Sequence, residues 1–475
     1  MKFNLTQKIA YNAIFSAGAR VIEVALALVI IGLTTRYLGT SGFGDYIIVV
    51  TFIYIFSVLA DLGLYSIVVR EISREGADEE KIVNNAFTLR TFAGLFFLSS
   101  AFFVSLLFPY SWDIKMGIAV AAMGFWMLSN TQVLMGLFQK HLVMDRVSVA
   151  EICGRIVQLV FVWTVISLDL GFLYVIASIL AGSIFSFFLV LFFASKYVKI
   201  RLKFDFNLWK KLLKQGFPLA ISAILVLIYF KLDTIFLSVM KTSEAVGVYG
   251  LSYKIMENLI FFPAMLVGLT MPIMSRSIFT DKARFQSIVQ RTLNLLIIAV
   301  VPMIVGVFFV SDKIIQLIGG DKGFIDSPAV LNILMIALGF IFFGALFSNI
   351  IIAANKQKRL AQIYFVGMVF NIVTNFIFIP QYSYFGAAAT TVATELLVTF
   401  LMVIVIYKSL KYLPSFAIIF KAVLASIVMA FILYYFRNLS IFILVFLGGI
   451  VYLLTVYFIG GVSKEEVEKL MKRAD

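Results

Sequence analysis

Residues 172–195 read FLYVIASILAGSIFSFFLVLFFAS, an apolar run in which no side chain carries a charge. A helix needs about 20 consecutive apolar residues to cross the hydrocarbon core of a bilayer, and this run is long enough. Comparable runs follow one another along the chain, and they predict spans at approximately 12–36, 45–69, 86–108, 116–138, 148–168, 172–195, 217–240, 247–274, 290–311, 328–354, 360–380, 385–407, 417–436 and 440–461. The predicted fold class is an all-α polytopic membrane protein with about fourteen transmembrane helices.

The composition of the chain supports the same fold class. Hydrophobic residues make up 62% of the 475 residues, charged residues make up 13%, and the mean hydropathy is +1.04. Inside lipid, only helices and closed barrels satisfy every backbone polar group. Barrel strands alternate in segments of about ten residues, whereas these runs are continuous and about twice as long. The pattern therefore indicates helices and leaves no room for a sizeable soluble domain.

The basic residues indicate how the helices are oriented. The formal net charge of the chain is +14. If the N-terminus is cytoplasmic and the spans alternate, 28 of the 39 Lys and Arg residues fall in cytoplasmic segments and 6 fall in external ones. Cytoplasmic loops of membrane proteins carry such an excess of positive charge. We therefore expect both termini in the cytoplasm and no nucleic-acid partner.

A basic stretch and a repeated motif predict the domain organisation. Residues 196–216 mix Lys and Arg with Phe, Leu and Trp, which is typical of an amphipathic helix on the cytoplasmic membrane surface. Thr40–Tyr46 reads TSGFGDY, and Thr242–Tyr249 reads TSEAVGVY. Together with six spans on either side of the basic stretch, this repeat indicates two lobes in parallel repeat, as in many transporters. The predicted domains are an N-terminal lobe (1–195), a linker (196–216), a C-terminal lobe (217–410), and two additional helices with a cytoplasmic tail (411–475).

Charged side chains within the predicted spans are the main functional signal. A charge at mid-bilayer costs about 3 kcal/mol or more, so such residues usually face a polar cavity or a partner. A protein that keeps several cations there is expected to handle an anionic molecule within the membrane. The five intramembrane cations are Arg20, Arg90, Arg155, Lys231 and Lys254.

Three of these cations have an acidic residue on the same helix face, because residues three or four apart are neighbours on a helix. The predicted charge pairs are Arg20–Glu23, Glu151–Arg155 and Lys254–Glu257. Local neutralisation would lower the cost of burying each pair, whereas a binding role would place the pair at a cavity. Both interpretations stay open at this point.

Other intramembrane charges have no partner nearby in sequence. Lys231 and Asp233 are two residues apart and point to different faces of their helix, so we expect Lys231 to face a cavity. Asp61 and Glu395 are isolated carboxylates, and each has either a partner on another helix or a role in binding an ion. Asp61, Asp233 and Glu395 are therefore candidates for coupling to protons or sodium.

Two prolines fall within the predicted span 247–274. Pro263 and Pro272 each remove a helix hydrogen bond and can kink the helix. The kink is either a fixed bend that packing requires or a hinge for alternating access.

Enzyme chemistry finds little support in the sequence. The single histidine, His141, lies in a predicted cytoplasmic loop, and the single cysteine, Cys153, lies in an apolar run. Metal clusters, nucleotide-binding loops and nucleophile elbows have recognisable patterns, and the sequence contains none of them. We expect neither an enzyme nor a bound cofactor, so active transport would depend on a proton or sodium gradient.

Several stretches resemble one family, the polysaccharide and oligosaccharide flippases. The resemblance covers most of the chain and rests on the order and spacing of modest motifs. These motifs are Leu38-Gly39 through Gly44-x-Tyr46, Asp61-Leu62-Gly63-Leu64 with Arg70-Glu71, Gln215-Gly216-Phe217-Pro218-Leu219 with Lys231-Leu232-Asp233, Val246-Gly247-Val248-Tyr249 with Tyr253-Lys254, and Tyr384-Phe385-Gly386-Ala387-Ala388. The family belongs to the multidrug/oligosaccharidyl-lipid/polysaccharide exporter superfamily, in which O-antigen and lipid II flippases are similar proteins.

This resemblance implies a function. It implies two lobes around a central cavity that works by alternating access. The substrate would be a polyprenyl-pyrophosphate-linked oligosaccharide that moves from the cytoplasmic to the outer leaflet, for cell-surface polysaccharide or cell-wall assembly. The residues that would contact its pyrophosphate are Arg20, Arg90, Lys231 and Lys254. The alternatives are a cation-coupled multidrug exporter of the same fold, whose cavity would need carboxylates, and a non-transporting membrane protein.

The same interpretation predicts location and partners. We expect a multi-pass monomer in the plasma membrane, in contact with membrane lipids and with the lipid-linked oligosaccharide. Polysaccharide polymerases or glycosyltransferases are the protein partners that such a pathway would supply.

Overall fold

The computed structural model describes residues 5–321 and 323–461, and every regular element there is an α-helix. The helices are α1 (Leu5–Asp61), α2 (Leu64–Ile72), α3 (Glu79–Ser105), α4 (Trp112–His141), α5 (Met144–Ser167), α6 (Phe172–Ala194), α7 (Phe206–Met240), α8 (Ser243–Leu259), α9 (Phe261–Ser277), α10 (Lys282–Gly319), α11 (Ser327–Ala353), α12 (Gln357–Leu410), α13 (Ile418–Tyr435) and α14 (Ile441–Phe458). The predicted cytoplasmic tail lies outside the described residues from residue 462 onwards.

The helices have the lengths that membrane spans require. In the described chain, eleven segments are long and apolar enough to cross a membrane. Three of these segments contain more than one helical stretch: Phe15–Ile72 includes most of α1 together with α2, Ser243–Ser277 joins α8 and α9, and Gln357–Leu410 is α12. Within their lengths, α1 and α12 leave helical geometry at Gly39 and Ser383. Gly39 has a φ of 69°, a left-handed conformation that glycine adopts without steric cost. The prediction of an all-α polytopic membrane protein with about fourteen spans is confirmed.

Side-chain caps fix where several helices begin. At the start of α3, the Asp78 carboxylate accepts a hydrogen bond of 2.9 Å from the backbone N–H of Lys81. At the start of α4, the Ser111 hydroxyl accepts one of 3.4 Å from the N–H of Ile114. Such caps satisfy N–H groups that have no partner within the helix, so the helices can begin directly after short loops.

The segment between α6 and α7 differs from the prediction of a surface helix over 196–216. Residues 199–205 are not helical, and α7 begins at Phe206. The carboxylate of Asp205 accepts a 3.0 Å hydrogen bond from the N–H of Leu208, which caps α7. From there α7 runs to Met240. The second half of the predicted surface helix is therefore the first part of a long helix.

The kink expected in the eighth span lies between α8 and α9. The helix stops at Leu259 and restarts at Phe261, two residues before Pro263. Pro263 has no N–H to donate to the carbonyl of Leu259, and its ring would clash with that carbonyl in a regular helix. Pro272, by contrast, lies inside α9. Whether the break acts as a hinge stays a prediction.

The described chain divides into two compact units. The first unit contains residues up to Gly247 together with residues 318–323, and the second unit contains the rest. The first unit has a core of aliphatic side chains from α2, α3, α4, α6 and α7, centred on residues such as Leu64, Leu134 and Leu212. The division into lobes 1–195 and 217–410 stays a prediction.

In the second unit, the last two helices pack against α10. Their shared core contains Val310 of α10, Met429 of α13, and Leu444 and Tyr452 of α14. The Tyr452 hydroxyl donates a 2.8 Å hydrogen bond to the carbonyl of Ile298 on α10. The predicted additional helices are therefore joined to the body of the second unit by a buried polar contact as well as by apolar packing.

Candidate functional site

Arg90 is the most deeply buried of the five intramembrane cations. Its side chain is 1% exposed, and its guanidinium group donates hydrogen bonds to two neighbouring helices. The acceptors are the carbonyl of Ala60 (2.8 Å), the carboxylate of Asp61 (2.6 Å), the carbonyl of Ser129 (3.3 Å) and the side chain of Gln132 (2.9 Å). The group therefore connects the end of α1 to α4 from its position on α3.

This geometry changes the interpretation of two sequence candidates. Four of the five guanidinium N–H groups of Arg90 have protein acceptors, so little capacity is left for a pyrophosphate. Asp61, which has no opposite charge near it in sequence, has its partner on another helix. Removing Asp61 would leave the buried guanidinium of Arg90 without its counter-charge, so the pair is a structural element of the first unit.

Arg20 belongs to a second group of charges, at the contact between α1 and α5. Its guanidinium lies 2.9 Å from the carboxylate of Glu23, and its side chain is 52% exposed. Glu23 is buried, and its carboxyl group also hydrogen-bonds that of Glu151 on α5. Arg155 points elsewhere and donates a 3.0 Å hydrogen bond to Gln158. The predicted Glu151–Arg155 pair is thus replaced by a contact between two carboxyl groups.

A contact between two carboxyl groups has a definite chemical requirement. Two carboxylates repel each other, and one can donate a hydrogen bond to the other only when it carries a proton. The Glu23–Glu151 pair is therefore a candidate site for a shared proton. Arg20 and Arg155 both act on the charge of Glu151.

Lys231 lies on α7 beside an aromatic ring. Its ammonium nitrogen is 5.6 Å from the centroid of the Tyr54 ring, within the range of a cation–π contact. Lys231 is 7% exposed and Asp233 is 2% exposed, whereas Tyr54 is 42% exposed. Lys231 is nine residues from the end of α7, or about 14 Å, which is near the middle of a hydrocarbon core about 30 Å thick. The cation thus lies deep in its span, next to an accessible ring.

In the second unit, Lys254 and Glu257 form an ion pair on α8. The ammonium nitrogen lies 2.9 Å from the carboxylate oxygen, and both side chains are partly exposed. Asn258 donates a hydrogen bond of 2.8 Å to the carbonyl of Lys254. The pair lies within two turns of the point where α8 ends and α9 begins.

Glu395 lies in a buried polar region of the second unit. It is 4% exposed, and Tyr364 is close enough to experience its charge. Thr394, next to it in the second half of α12, is also fully buried. So are Asn371 and Asn375 in the first half, before the interruption of α12, where Asn375 donates a 3.0 Å hydrogen bond to Asn371. Carboxylate, amide and hydroxyl oxygens are the ligands that hard cations prefer. The region could hold a proton or a sodium ion.

The repeated motif brings two helix ends into close contact within the first unit. A Cβ atom on Gly44 would overlap the carbonyl oxygen of Ser243, and a Cβ atom on Gly247 would overlap that of Thr40. At the crossing of the two motif copies, the glycine of each copy therefore packs directly against the backbone of the other. This reciprocal contact is a role for the glycines that their spacing alone did not reveal.

The comparisons with known proteins agree with this architecture. A family model described as polysaccharide biosynthesis protein matches residues 9–278, and a model described as MatE matches residues 218–377. The curated relatives include a probable flippase, AglR, of Haloferax volcanii. It is 24% identical over 52% of this chain and 54% of its own length, so the chain spans about half of that relative. A putative O-antigen transporter of Shigella flexneri is 23% identical over 79% of this chain and 92% of its own length.

Solved structures show the same fold. The lipid II flippase MurJ in an inward closed conformation matches with a TM-score of 0.77 and 16% identity, over 94% of this chain and 98% of its own. An inward-facing multidrug resistance MATE family transporter of the MOP superfamily matches with a TM-score of 0.66 and 14% identity, over 84% of this chain and 99% of its own. At these identities the likeness concerns the arrangement of helices, which flippases and drug exporters share.

Proposed function

The chain belongs to the polysaccharide biosynthesis protein family, and we propose that it is a flippase for a polyprenyl-pyrophosphate-linked oligosaccharide. It moves this lipid from the cytoplasmic to the outer leaflet of the plasma membrane by alternating access of its two lobes. The named functions of the relatives support this proposal, since one is a probable flippase and another a putative O-antigen transporter. The distribution of basic residues supports a cytoplasmic location for both termini.

The observation that carries the proposal is the position of Lys231. A cation that is 7% exposed in the middle of a span is costly, and it is retained beside the partly exposed ring of Tyr54. In a low-dielectric cavity such a cation attracts phosphate strongly. Arg20 supplies a second cation, and about half of its side chain is exposed. It lies about 28 Å along α1 from Gly39, where the first span ends, and is therefore near the cytoplasmic edge of the hydrocarbon core.

Not all of the sequence candidates serve equally in this proposal. Arg20 contacts the pyrophosphate near the cytoplasmic edge of the membrane, and Lys231 contacts it near mid-span. Lys254, paired with Glu257, is an additional candidate for contacting it. Arg90 is assigned to the structural pair with Asp61, because its hydrogen bonds are taken by protein groups. Phosphate binding by Arg90 would require the first unit to lose those bonds.

Coupling to an ion gradient is part of the same proposal. In this proposal the Glu23–Glu151 pair shares a proton next to Arg20, and a phosphate that approaches Arg20 changes the electrostatic environment of that proton. Glu395 and the buried oxygens near it are the candidate site for a proton or sodium ion in the second unit. Asp233 stays a candidate on α7, whereas Asp61 is held by Arg90.

A transport assay tests the proposal. Purified protein is reconstituted into liposomes with labelled polyprenyl-pyrophosphate oligosaccharide, and the appearance of the label in the opposite leaflet is measured. Lys231→Ala should slow transport about tenfold or more, because a hydrogen bond to a charged group contributes about 1.5–3 kcal/mol. Lys231→Arg keeps the charge and should retain part of the rate. Lys115→Ala, in the first turn of α4, removes a cation outside the proposed site and should transport normally.

A second function is favoured by one specific comparison. The MatE family model matches residues 218–377, and solved MATE transporters share the fold. A drug exporter would transport cationic compounds and would lose activity when carboxylates such as Glu395 are neutralised, with Lys231→Ala having little effect. Absence of lipid transport by the wild type, together with efflux of cationic dyes, would establish this function instead. Polymerases or glycosyltransferases are partners only under the flippase proposal.

A further inference from the structure

The backbone of the segment between α6 and α7 is fastened to α3. The carbonyl of Lys199 accepts a 3.0 Å hydrogen bond from the side-chain amide of Asn84. Backbone N–H groups of alternate residues then donate to α3 side chains: Arg201 to Asn84 (3.0 Å), Lys203 to Thr88 (2.9 Å) and Asp205 to Asn85 (2.7 Å). Hydrogen bonds from every second residue indicate an extended chain. The segment is thus held in a fixed conformation along the N-terminal part of α3.

The side chains of this segment alternate between apolar and charged. Successive side chains of an extended chain point to opposite sides, which separates Leu202 and Phe204 from Arg201 and Lys203. Phe204 is 55% exposed, and its ring lies 5.8 Å from that of Phe92 on α3 and 5.7 Å from that of Trp209 on α7. A partly exposed aromatic cluster therefore adjoins a row of basic residues, with Phe204 exposed and Trp209 packed partly against the apolar core.

The basic residues near this cluster are mostly without acidic neighbours. Residues 196–214 contain seven Lys and Arg residues and one acidic residue, Asp205. Lys203 and Lys211 have carboxylate partners at 3.7 and 3.1 Å. Within residues 199–214, four exposed cations have no carboxylate within 4.0 Å in the described part of the chain: Lys199, Arg201, Lys210 and Lys214.

We propose that residues 199–214 form a binding surface for anionic phospholipid headgroups of the cytoplasmic leaflet. The four cations bind the phosphodiester groups, while Phe204, Phe206 and Trp209 lie among the upper parts of the acyl chains. Aromatic side chains favour this depth of a membrane, and clusters of basic residues favour an anionic leaflet. An acidic protein partner would match the charge of this surface. It would not account for the aromatic cluster, which adjoins the lipid-facing Phe92, so the partner that we propose is a lipid. This proposal does not depend on the flippase function.

Trp209 provides the measurement. The full-length protein is reconstituted into bilayers of phosphatidylcholine with increasing fractions of phosphatidylglycerol that is brominated near the headgroup end of its chains. The quenching of Trp209 is the difference between the wild type and Trp209→Phe. In the wild type, quenching should saturate at a low fraction of phosphatidylglycerol and weaken at high salt. Each surface cation contributes about fivefold to the affinity for an anionic membrane. The variant K199Q/R201Q/K210Q should therefore need at least a tenfold higher fraction of phosphatidylglycerol for the same quenching.

A matched variant separates this surface from general charge. K356Q/K358Q/R359Q removes three cations from the turn before and the start of α12, where no aromatic residue adjoins them, and it should be quenched like the wild type. The proposal would be overturned if brominated phosphatidylcholine quenched Trp209 equally well, or if the quenching curve of K199Q/R201Q/K210Q were not shifted. It would also be overturned if the control variant shifted by the same amount, or if soluble pyrophosphate released the quenching. If K199Q/R201Q/K210Q has a lower melting temperature than the wild type, the same quenching measurement is made on K210Q/K214Q. The side chains of Lys210 and Lys214 make no hydrogen bond within the described residues, so this variant should fold normally.

Discussion

Gly44 and Gly247 lie against each other where the two copies of the repeated motif cross, and a Cβ atom on Gly44 would stand 3.0 Å from the amide nitrogen of Gly247. The same Cβ atom would overlap the carbonyl oxygen of Ser243, which is backbone and cannot rotate away. The crossing therefore depends on the absence of side chains at both positions. Its reciprocal form explains why the motif recurs with glycine at the corresponding place.

Gly44→Ala should open this crossing. Overpacking of a tight contact costs about 1–3 kcal/mol, so the melting temperature in detergent should fall, and transport should change even if the protein folds. Gly18→Ala is the matched control, since nothing lies within 4 Å of its added Cβ and alanine favours a helix by up to about 1 kcal/mol. A melting temperature for Gly44→Ala at or above that of Gly18→Ala would contradict the close contact.

The Arg90–Asp61 pair should be required for folding. Asp61→Ala leaves the guanidinium buried without its counter-charge, and breaking such a pair by removing one partner costs about 3–5 kcal/mol. We expect a low yield of monodisperse protein and a lower melting temperature. Lys203→Gln removes one partner of an exposed pair and should cost at most about 1 kcal/mol. A folded Asp61→Ala variant that has lost only transport would instead indicate a functional role for Asp61.

The sequence predicts the spans well because the requirement for about 20 apolar residues is local. Pairs on one helix, such as Arg20–Glu23, also follow from spacing, since residues three apart are always neighbours. Asp61 and Arg90 lie 29 residues apart on different helices, and Glu23 and Glu151 lie on helices that are distant in sequence. Their contacts depend on how the helices pack, which one sequence does not specify. One indication of the Asp61–Arg90 contact was present in the sequence: an acidic residue in a span without a basic residue nearby on the same helix must have its partner elsewhere.

Tyr452→Phe should loosen the last two helices from α10. The hydroxyl group donates a 2.8 Å hydrogen bond to the carbonyl of Ile298, and such a bond contributes about 1 kcal/mol. Hydrogen exchange of α13 and α14 should increase, while exchange in the first unit stays the same. Tyr457→Phe is the control, because Tyr457 makes no side-chain hydrogen bond in the described structure. Equal exchange in both variants would show that apolar packing alone holds these helices.

Asp205 should make the start of α7 sensitive to acid. A hydrogen bond from Lys81, together with the N–H of Leu208, lowers the pKa of Asp205 below its usual value. A group with a lowered pKa in the folded state stabilises it above the unfolded pKa, and this contribution is lost as the pH falls through the folded pKa. Asp205→Asn keeps a good capping residue but cannot titrate. Its melting temperature should depend less on pH than that of the wild type below about pH 5. Parallel pH profiles would contradict this role.

The Glu23–Glu151 pair should share a proton that can be detected without a transport assay. Because two carboxyl groups in a hydrogen bond need one proton between them, the wild type should show an infrared band of a protonated carboxyl group at neutral pH. In Glu151→Gln the amide can donate to Glu23 in place of the acid, so the fold should persist while that band disappears. Glu257→Gln, which alters the pair with Lys254, should keep the band. If the flippase proposal is correct, Glu151→Gln should also lose the dependence of transport on a proton gradient. An unchanged band in Glu151→Gln would place the proton elsewhere and remove this pair from the coupling mechanism.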